Sequence, residues 1–234
     1  MVVRQRAIQA EAKQERHYAI LDAAERLLER SPERIASVAE VAEEAGLAKG
    51  TVYLYFPGKE ELLLAVHERG LDAFFNALIE LLDGDAPVAF DDILALTHAH
   101  LVEPALRLPL AARCFGMMAQ SIPAAAAGAF RLRMFERLNR AGAGLERHFP
   151  ALGSGRGMLL LRHSYALIVG LWQMSAGANP ACPFNGGAAA DDAGPGRIPA
   201  PPYAEDIDRA LLALWSGTLG NAQASTGRPT GGGQ

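Results

Sequence analysis

The chain has 234 residues, half of them apolar, and a formal net charge of −4, so it can bury a substantial core but lacks the general basicity of a nonspecific polyanion binder. Its two cysteines, Cys114 and Cys182, are far apart and lack metal-type spacing, which argues against a disulfide framework and sets the expectation of a reducing, cytoplasmic location. No signal-peptide pattern opens the chain, and the longest apolar candidate span, 165–178, is interrupted by Gln173 and Ser175, so no membrane partner is expected.

Taken in order, residues 1–14 are polar and charged with little periodicity and read as a flexible arm. From about Glu15 to Arg30 a helix is predicted, with Ile20, Ala24, Leu27 and Leu28 on one face. Ser31 and Pro32 break it. In SVAEVAEEA, Ser37 can cap a second helix by accepting from the backbone of Glu40, whose carboxylate can reach back. Val38, Val41, Ala42 and Ala45 share one face of that helix, and Gly46 can supply the left-handed residue that ends it. Leu47 then plugs the corner. A third, short helix from about Ala48 to Tyr55 stops before Pro57. Two helices joined by a tight Gly-containing turn form a helix-turn-helix, and the helix before them completes a three-helix head.

The third helix carries the chemistry. Val52 and Phe56 can face inward, which leaves Lys49, Thr51, Tyr53 and Tyr55 on the exposed side and at the helix end. A cation, a hydroxyl with a methyl, and two phenols suit base edges and phosphates. Lys59 falls in the first turn of the next helix, where its charge opposes the helix dipole and suggests an adjacent anion. Residues 1–69 hold ten Lys and Arg against twelve Asp and Glu, so DNA attraction must come from placement and not from total charge. Arg4, Arg6, Lys13 and Arg16 lead into the first helix, and the arginines of the 1–14 arm either touch the DNA backbone or minor groove or are simply solvated.

The stretch GLAKGTVYLYFPGKEELL resembles the DNA-binding signature of the tetracycline-repressor (TetR) family of bacterial regulators. Gly46, Thr51, Tyr53, Phe56, Lys59 and Glu60 occupy the family's motif positions, and Pro57-Gly58 in the turn departs from it, with a slight tilt of Lys59 expected. The resemblance implies that Lys49 and Thr51 lie near base edges of a palindromic double-stranded operator, while Ser37, Tyr53, Tyr55 and Lys59 contact its backbone. It also implies a small-molecule effector, most commonly one that relieves repression; no cofactor is expected.

A long helix from Glu60 to about Leu82 is predicted next, roughly 34 Å in length, able to transmit a tilt between the head and the remainder of the chain. Further helices are expected over about Phe90–Val102, Pro104–Ser121, Pro123–Phe149, Gly155–Ala178 and Ala204–Leu219, with no strand pattern. The expected fold is therefore all-α: an arm (1–14), a helix-turn-helix head (15–62), a larger helical effector-binding and dimerisation domain (63–220), and a disordered tail (221–234). Residues 179–203, rich in Pro, Gly and Ala, read as a mobile loop within the larger domain.

Apolar stripes through Leu161, Tyr165 and Ile168 and through Ile207, Leu211 and Leu214 have the spacing of a helix-bundle seam and are candidates for a homodimer interface. Dimerisation through the last two helices is also what the resemblance implies. The plainer alternative is that both stripes are internal core. Phe74, Phe75, Phe115, Met118, Met134 and Trp172, with Met117 and Phe130, offer bulky apolar walls for an effector pocket or ordinary core. His98 and His100 sit two apart on different helix faces and make poor joint metal ligands. No nucleophile elbow or phosphate-cradling loop occurs, so no enzyme is expected. The competing hypotheses are an effector-independent DNA-binding factor recruited by a protein partner, and a helical metal protein or enzyme using His98, His163 and Cys114.

Overall fold

The computed structural model describes residues 2–31, 34–118, 120–175 and 203–226, with side chains described for 10–31, 34–118, 120–175 and 203–220. Among the described residues all regular structure is helical, and no helix is long and apolar enough to cross a membrane. The chain divides into two compact units, Met1–Asp72 with Pro104–Phe130, and Ala73–Glu103 with Arg131–Gln234.

The first unit begins with α1, Val2–Arg30. This helix takes in the segment read as an arm: residues 2–14 contain Ala, Gln, Arg, Glu and Lys and no Gly or Pro, so nothing interrupts helix propagation. Helices α2 (Val38–Glu44) and α3 (Lys49–Tyr53) come next, and α4 (Lys59–Asp83) begins at Lys59. Ile20 and Ala24 of α1, Val41 of α2, Val52 of α3 and Leu63 and Val66 of α4 are buried in one core. Helix α6 (Arg107–Met118) adds Leu110 and Cys114 to it. Polar ties surround this core. Arg69 of α4 pairs with Asp22 at 2.5 Å and with Glu25, both on α1, and Arg107 reaches the same Glu25 at 3.1 Å. The segment 104–130 therefore packs with the head, although in the sequence it reads as part of the larger domain.

The second unit contains the end of α4, then α5 (Phe90–Thr97), which continues as a π-helical turn over His98–Val102. Most of α7 (Ala124–His148), a 3₁₀ turn at Pro150–Leu152, α8 (Arg156–Met174) and α9 (Tyr203–Thr226) complete it. Near the end of α4, Leu82 O accepts from Arg147 Nη2 and from His148 Nε2, each at 3.0 Å, while Arg140 and Arg147 pair with the Asp83 carboxylate. Helices α7 and α8 approach closely at Gly142 and Gly157, where a Cβ on Gly157 would collide with the Gly142 carbonyl. Trp215 of α9 is buried, donating from Nε1 to Ser164 Oγ of α8 at 3.0 Å, with the rings of Phe90 and Phe149 at 5.4 and 5.9 Å.

The two stripes proposed for dimerisation turn out differently. Leu161, Ile168, Ile207 and Leu211 are buried within this one chain, and Tyr165 and Leu214 are partly buried. Helices α8 and α9 pack on each other, tied by the Trp215–Ser164 bond, and the buried stripe residues are covered within the one chain. The end of α9 also runs to Thr226, into the segment expected to be a disordered tail. The Pro- and Gly-rich stretch expected to be mobile lies almost wholly outside the described residues, as does Cys182.

Candidate nucleic-acid interface

Both ends of α2 are fixed by local chemistry. Ser37 N donates to Glu40 Oε2 at 2.8 Å and Glu40 N donates to Ser37 Oγ at 3.3 Å, a reciprocal capping box. The Ser37 backbone N–H, and then Arg34, hold the Glu40 carboxyl well below its ordinary range, at about 2. At the other end Gly46 has φ +66, Gly46 N donates to Glu43 O at 3.1 Å and Leu47 N donates to Ala42 O at 2.9 Å. That pair of bonds is a Schellman turn, which needs a residue free of Cβ strain. It sets the corner from which α3 departs.

Helix α3 is anchored from beneath. Val52 and Phe56 are buried against the head's core, and Phe56 N donates to Val52 O at 2.9 Å, continuing the turn past Tyr53. On the outer side Lys49, Gly50, Tyr53 and Leu54 are exposed and Thr51 is partly so. Lys49 Nζ lies 5.8 Å from the centre of the Tyr53 ring, a cation over an aromatic face. Lys59 is exposed at the first position of α4, 4.0 Å from Glu60 Oε1. All six DNA-contact candidates, Ser37, Lys49, Thr51, Tyr53, Tyr55 and Lys59, are thus wholly or partly accessible on the head. Tyr55 is half-buried, its ring 6.2 Å from that of His17 on α1, which stands 5.1 Å from Phe56.

Ion pairs within the head occupy several of its acidic side chains. Glu44 is engaged by Arg26 at 2.8 Å and by Arg30, and Glu40 by Arg34 at 2.7 Å. Asp22 and Glu25 are taken by Arg69. Asp22, Glu25, Glu40 and Glu44 are thus matched by four arginines of the head, while Lys49 and Lys59 sit exposed at the two ends of the reading segment.

The other candidate sites fare unevenly. Cys114 is buried, its thiol pushed up to about 12 by burial, with Sγ 3.9 Å from Leu63 O. His98 Nε2 lies 2.6 Å from Asp208 Oδ1. Among the described residues no three His, Cys, Asp or Glu side chains are placed to hold a metal ion. Of the effector-pocket candidates, Phe74 and Phe75 are buried in the second unit with rings edge-on at 5.4 Å, and Met134 and Trp172 are partly buried there. Phe115 and Met118 belong to the first unit, and Phe115 is 52% exposed, more surface than wall. A groove of about 440 Å³ in that unit is lined by Ile35, Ala112, Arg113, Gly116, Met117, Gln120 and Ser121.

Comparison with known proteins agrees with this geometry. Residues 20–66 match bacterial regulatory proteins of the tetR family, and residues 68–181 match the tetracyclin repressor-like C-terminal domain. The chain belongs to the TetR family. All six DNA-contact candidates lie in the first of the TetR-family matches. The chain is 31% identical over 68 residues to the fatty acid metabolism regulator protein of Bacillus subtilis (strain 168), covering 29% of this chain and 35% of that protein. It is 40% identical over 72 residues to the HTH-type transcriptional regulator EthR of Mycobacterium tuberculosis (strain ATCC 25618 / H37Rv), covering 31% and 33% respectively. The chain thus spans about a third of the length of the curated relatives it matches. A TetR transcriptional regulator from Rhodococcus sp. RHA1 has a similar structure, with TM-score 0.46 and 23% identity over 88% of this chain and 97% of that one.

Proposed function

We propose that this TetR-family chain is a cytoplasmic, homodimeric DNA-binding transcriptional regulator, a repressor released from a palindromic operator by a small, largely apolar effector. The observation that carries the DNA reading is the division of α3 into two faces. Val52 and Phe56 lock it to the core, and Lys49, Thr51 and Tyr53 are presented outward at a fixed angle set by the Gly46 turn. Lys49 and Thr51 would meet base edges, while Ser37, Tyr53, Tyr55 and Lys59 would meet phosphates.

A five-residue helix spans few base pairs, which supports two-fold pairing on a palindrome. Since the buried stripe residues of α8 and α9 are covered within the protomer, the pairing surface is their outer face. There Leu159 and Leu212 are exposed large apolar residues, accompanied by Ala166, Ala213, Ser216 and Gly217. The second-unit aromatics Phe74, Phe75 and Trp172 with Met134 remain the best effector contacts. An effector acts by binding better to a dimer whose reading helices are off the roughly 34–36 Å repeat of successive major grooves.

Equilibrium binding to a duplex enriched from a random library, and to an unrelated duplex, tests the DNA reading. Tyr53→Phe and Lys59→Ala are expected to weaken both complexes alike, whereas Lys49→Ala also narrows the gap between them. Full-strength binding by Lys59→Ala would remove the phosphate role given to it.

A further inference from the structure

We propose that Gly50 and Leu54 form an apolar reading surface on α3: the bare backbone at Gly50 admits the helix close to the base edges, and the Leu54 side chain packs on the C5-methyl of thymine. The inference rests on the DNA-binding reading above and names residues and a base that the reading leaves open.

Two observations on the head have no explanation in the fold. Leu54 is 84% exposed, the highest value among the large apolar residues described, and it is the C-cap residue of α3, where its N–H donates to Thr51 O at 3.2 Å. A leucine held out in water on an ordered turn gains nothing for the core. Gly50 is the second observation. A Cβ built there meets nothing within 4 Å, and its φ is not positive, so neither crowding nor backbone conformation requires glycine. Gly46, four residues earlier, shows the contrast, because its φ of +66 does require one. Glycine in a helix is less stable than alanine, so Gly50 weakens a helix of only five residues with no return inside the protein.

The two positions are four apart and therefore share a face of the helix. Thr51 and Lys49 flank that face, and Lys49 is held near Tyr53. In the major groove, thymine alone presents a methyl group, and an apolar side chain is the contact that senses it. A residue without a side chain one turn earlier allows the helix to sit deep enough for Leu54 to reach that methyl. Polar bonds from Lys49 and Thr51 then act beside an apolar contact of different specificity.

The test uses the full chain and the duplex that it enriches from a random library, with each thymine replaced in turn by uracil, which deletes only the methyl. Wild type is expected to lose about four-fold in affinity per half-site at one or more thymines, the equivalent of one buried methyl group. Leu54→Ala is expected to be insensitive at those thymines while keeping its preference for the enriched duplex over an unrelated one. Gly50→Ala is expected to bind at least about ten-fold more weakly while unfolding at the same or a higher temperature, opposite signs that a folding defect cannot produce. An unchanged uracil penalty in Leu54→Ala, no uracil penalty in wild type, or full-strength binding by Gly50→Ala would each overturn the proposal. A wild-type chain that enriches no duplex would overturn the DNA reading itself.

Discussion

Lowering the pH from 7.5 to 5 is expected to remove about 2 kcal/mol of stability through His67 alone. His67 lies on α4 in the first unit, only 5% exposed, with its ring 6.1 Å from that of Phe130. Burial, reinforced by the charge of Arg107 and opposed by Glu68, holds the imidazole down from its ordinary 6.5 to about 4. The unfolded chain therefore takes up a proton first as pH falls. The His67 contribution is complete above pH 6.5, declines through the window between 6.5 and 4, and is lost in full below it. At about 1.4 kcal/mol per pH unit, pH 5 corresponds to a loss of about 2 kcal/mol and pH 4 to about 3.

Urea unfolding followed by circular dichroism at both pH values, for wild type and for His67→Leu, isolates the effect. His17 is also shifted downward, by burial and by Arg69, and adds a slope of the same sign to both proteins. The informative quantity is thus the difference between them. Wild type is expected to lose about 2 kcal/mol more than the variant between pH 7.5 and 5. Equal losses would show that His67 is not held neutral by the core.

Ser37→Ala removes the acceptor that caps α2 and is expected to cost about 1 kcal/mol, read as a lower melting temperature. The Glu40 carboxylate, depressed to about 2, stabilises the head above about pH 4.5 and loses that contribution as pH falls toward 2; in Glu40→Gln that acid sensitivity should be reduced. Gly157→Ala drives a Cβ into the Gly142 carbonyl and is expected to cost about 1–3 kcal/mol, a fall of about 2–4 °C in melting temperature per kcal/mol. Leu212, 53% exposed on α9, is expected to become an interface residue in the dimer, so Leu212→Glu should sediment as a monomer while wild type sediments as a dimer. An unchanged mass would move the interface elsewhere.

Features decided by local chemistry are legible in the sequence. Ser37 with Glu40 and the Gly46 turn are interactions within a few residues, so their spacing predicts both ends of α2. Long-range partners are not encoded in spacing. The three-four periodicity of Leu161 and Ile168, or of Ile207 and Leu211, reports an apolar face without saying what covers it, and here the cover comes from the same chain. Tyr55 reads as exposed in the sequence because its partner His17 lies 38 positions away on α1. Phe115 shows that bulk in a composition does not give direction. The start of α1 is hidden because a run of helix formers without a cap carries no start signal. Leu54 and Gly50 give no signal either, because an exposed leucine and an unstrained glycine become unusual only when their surroundings are known.

The central claim is that the outer face of α3 enters the major groove of DNA twice per dimer. Dimethyl sulfate protection of guanine N7 on the enriched duplex reads that groove directly. Two protected patches about one helical turn apart, or a multiple of it, are predicted, both fading in Lys49→Ala at concentrations where wild type protects. A single patch, protection confined to adenine N3 in the minor groove, or a pattern that Lys49→Ala leaves intact would contradict the account.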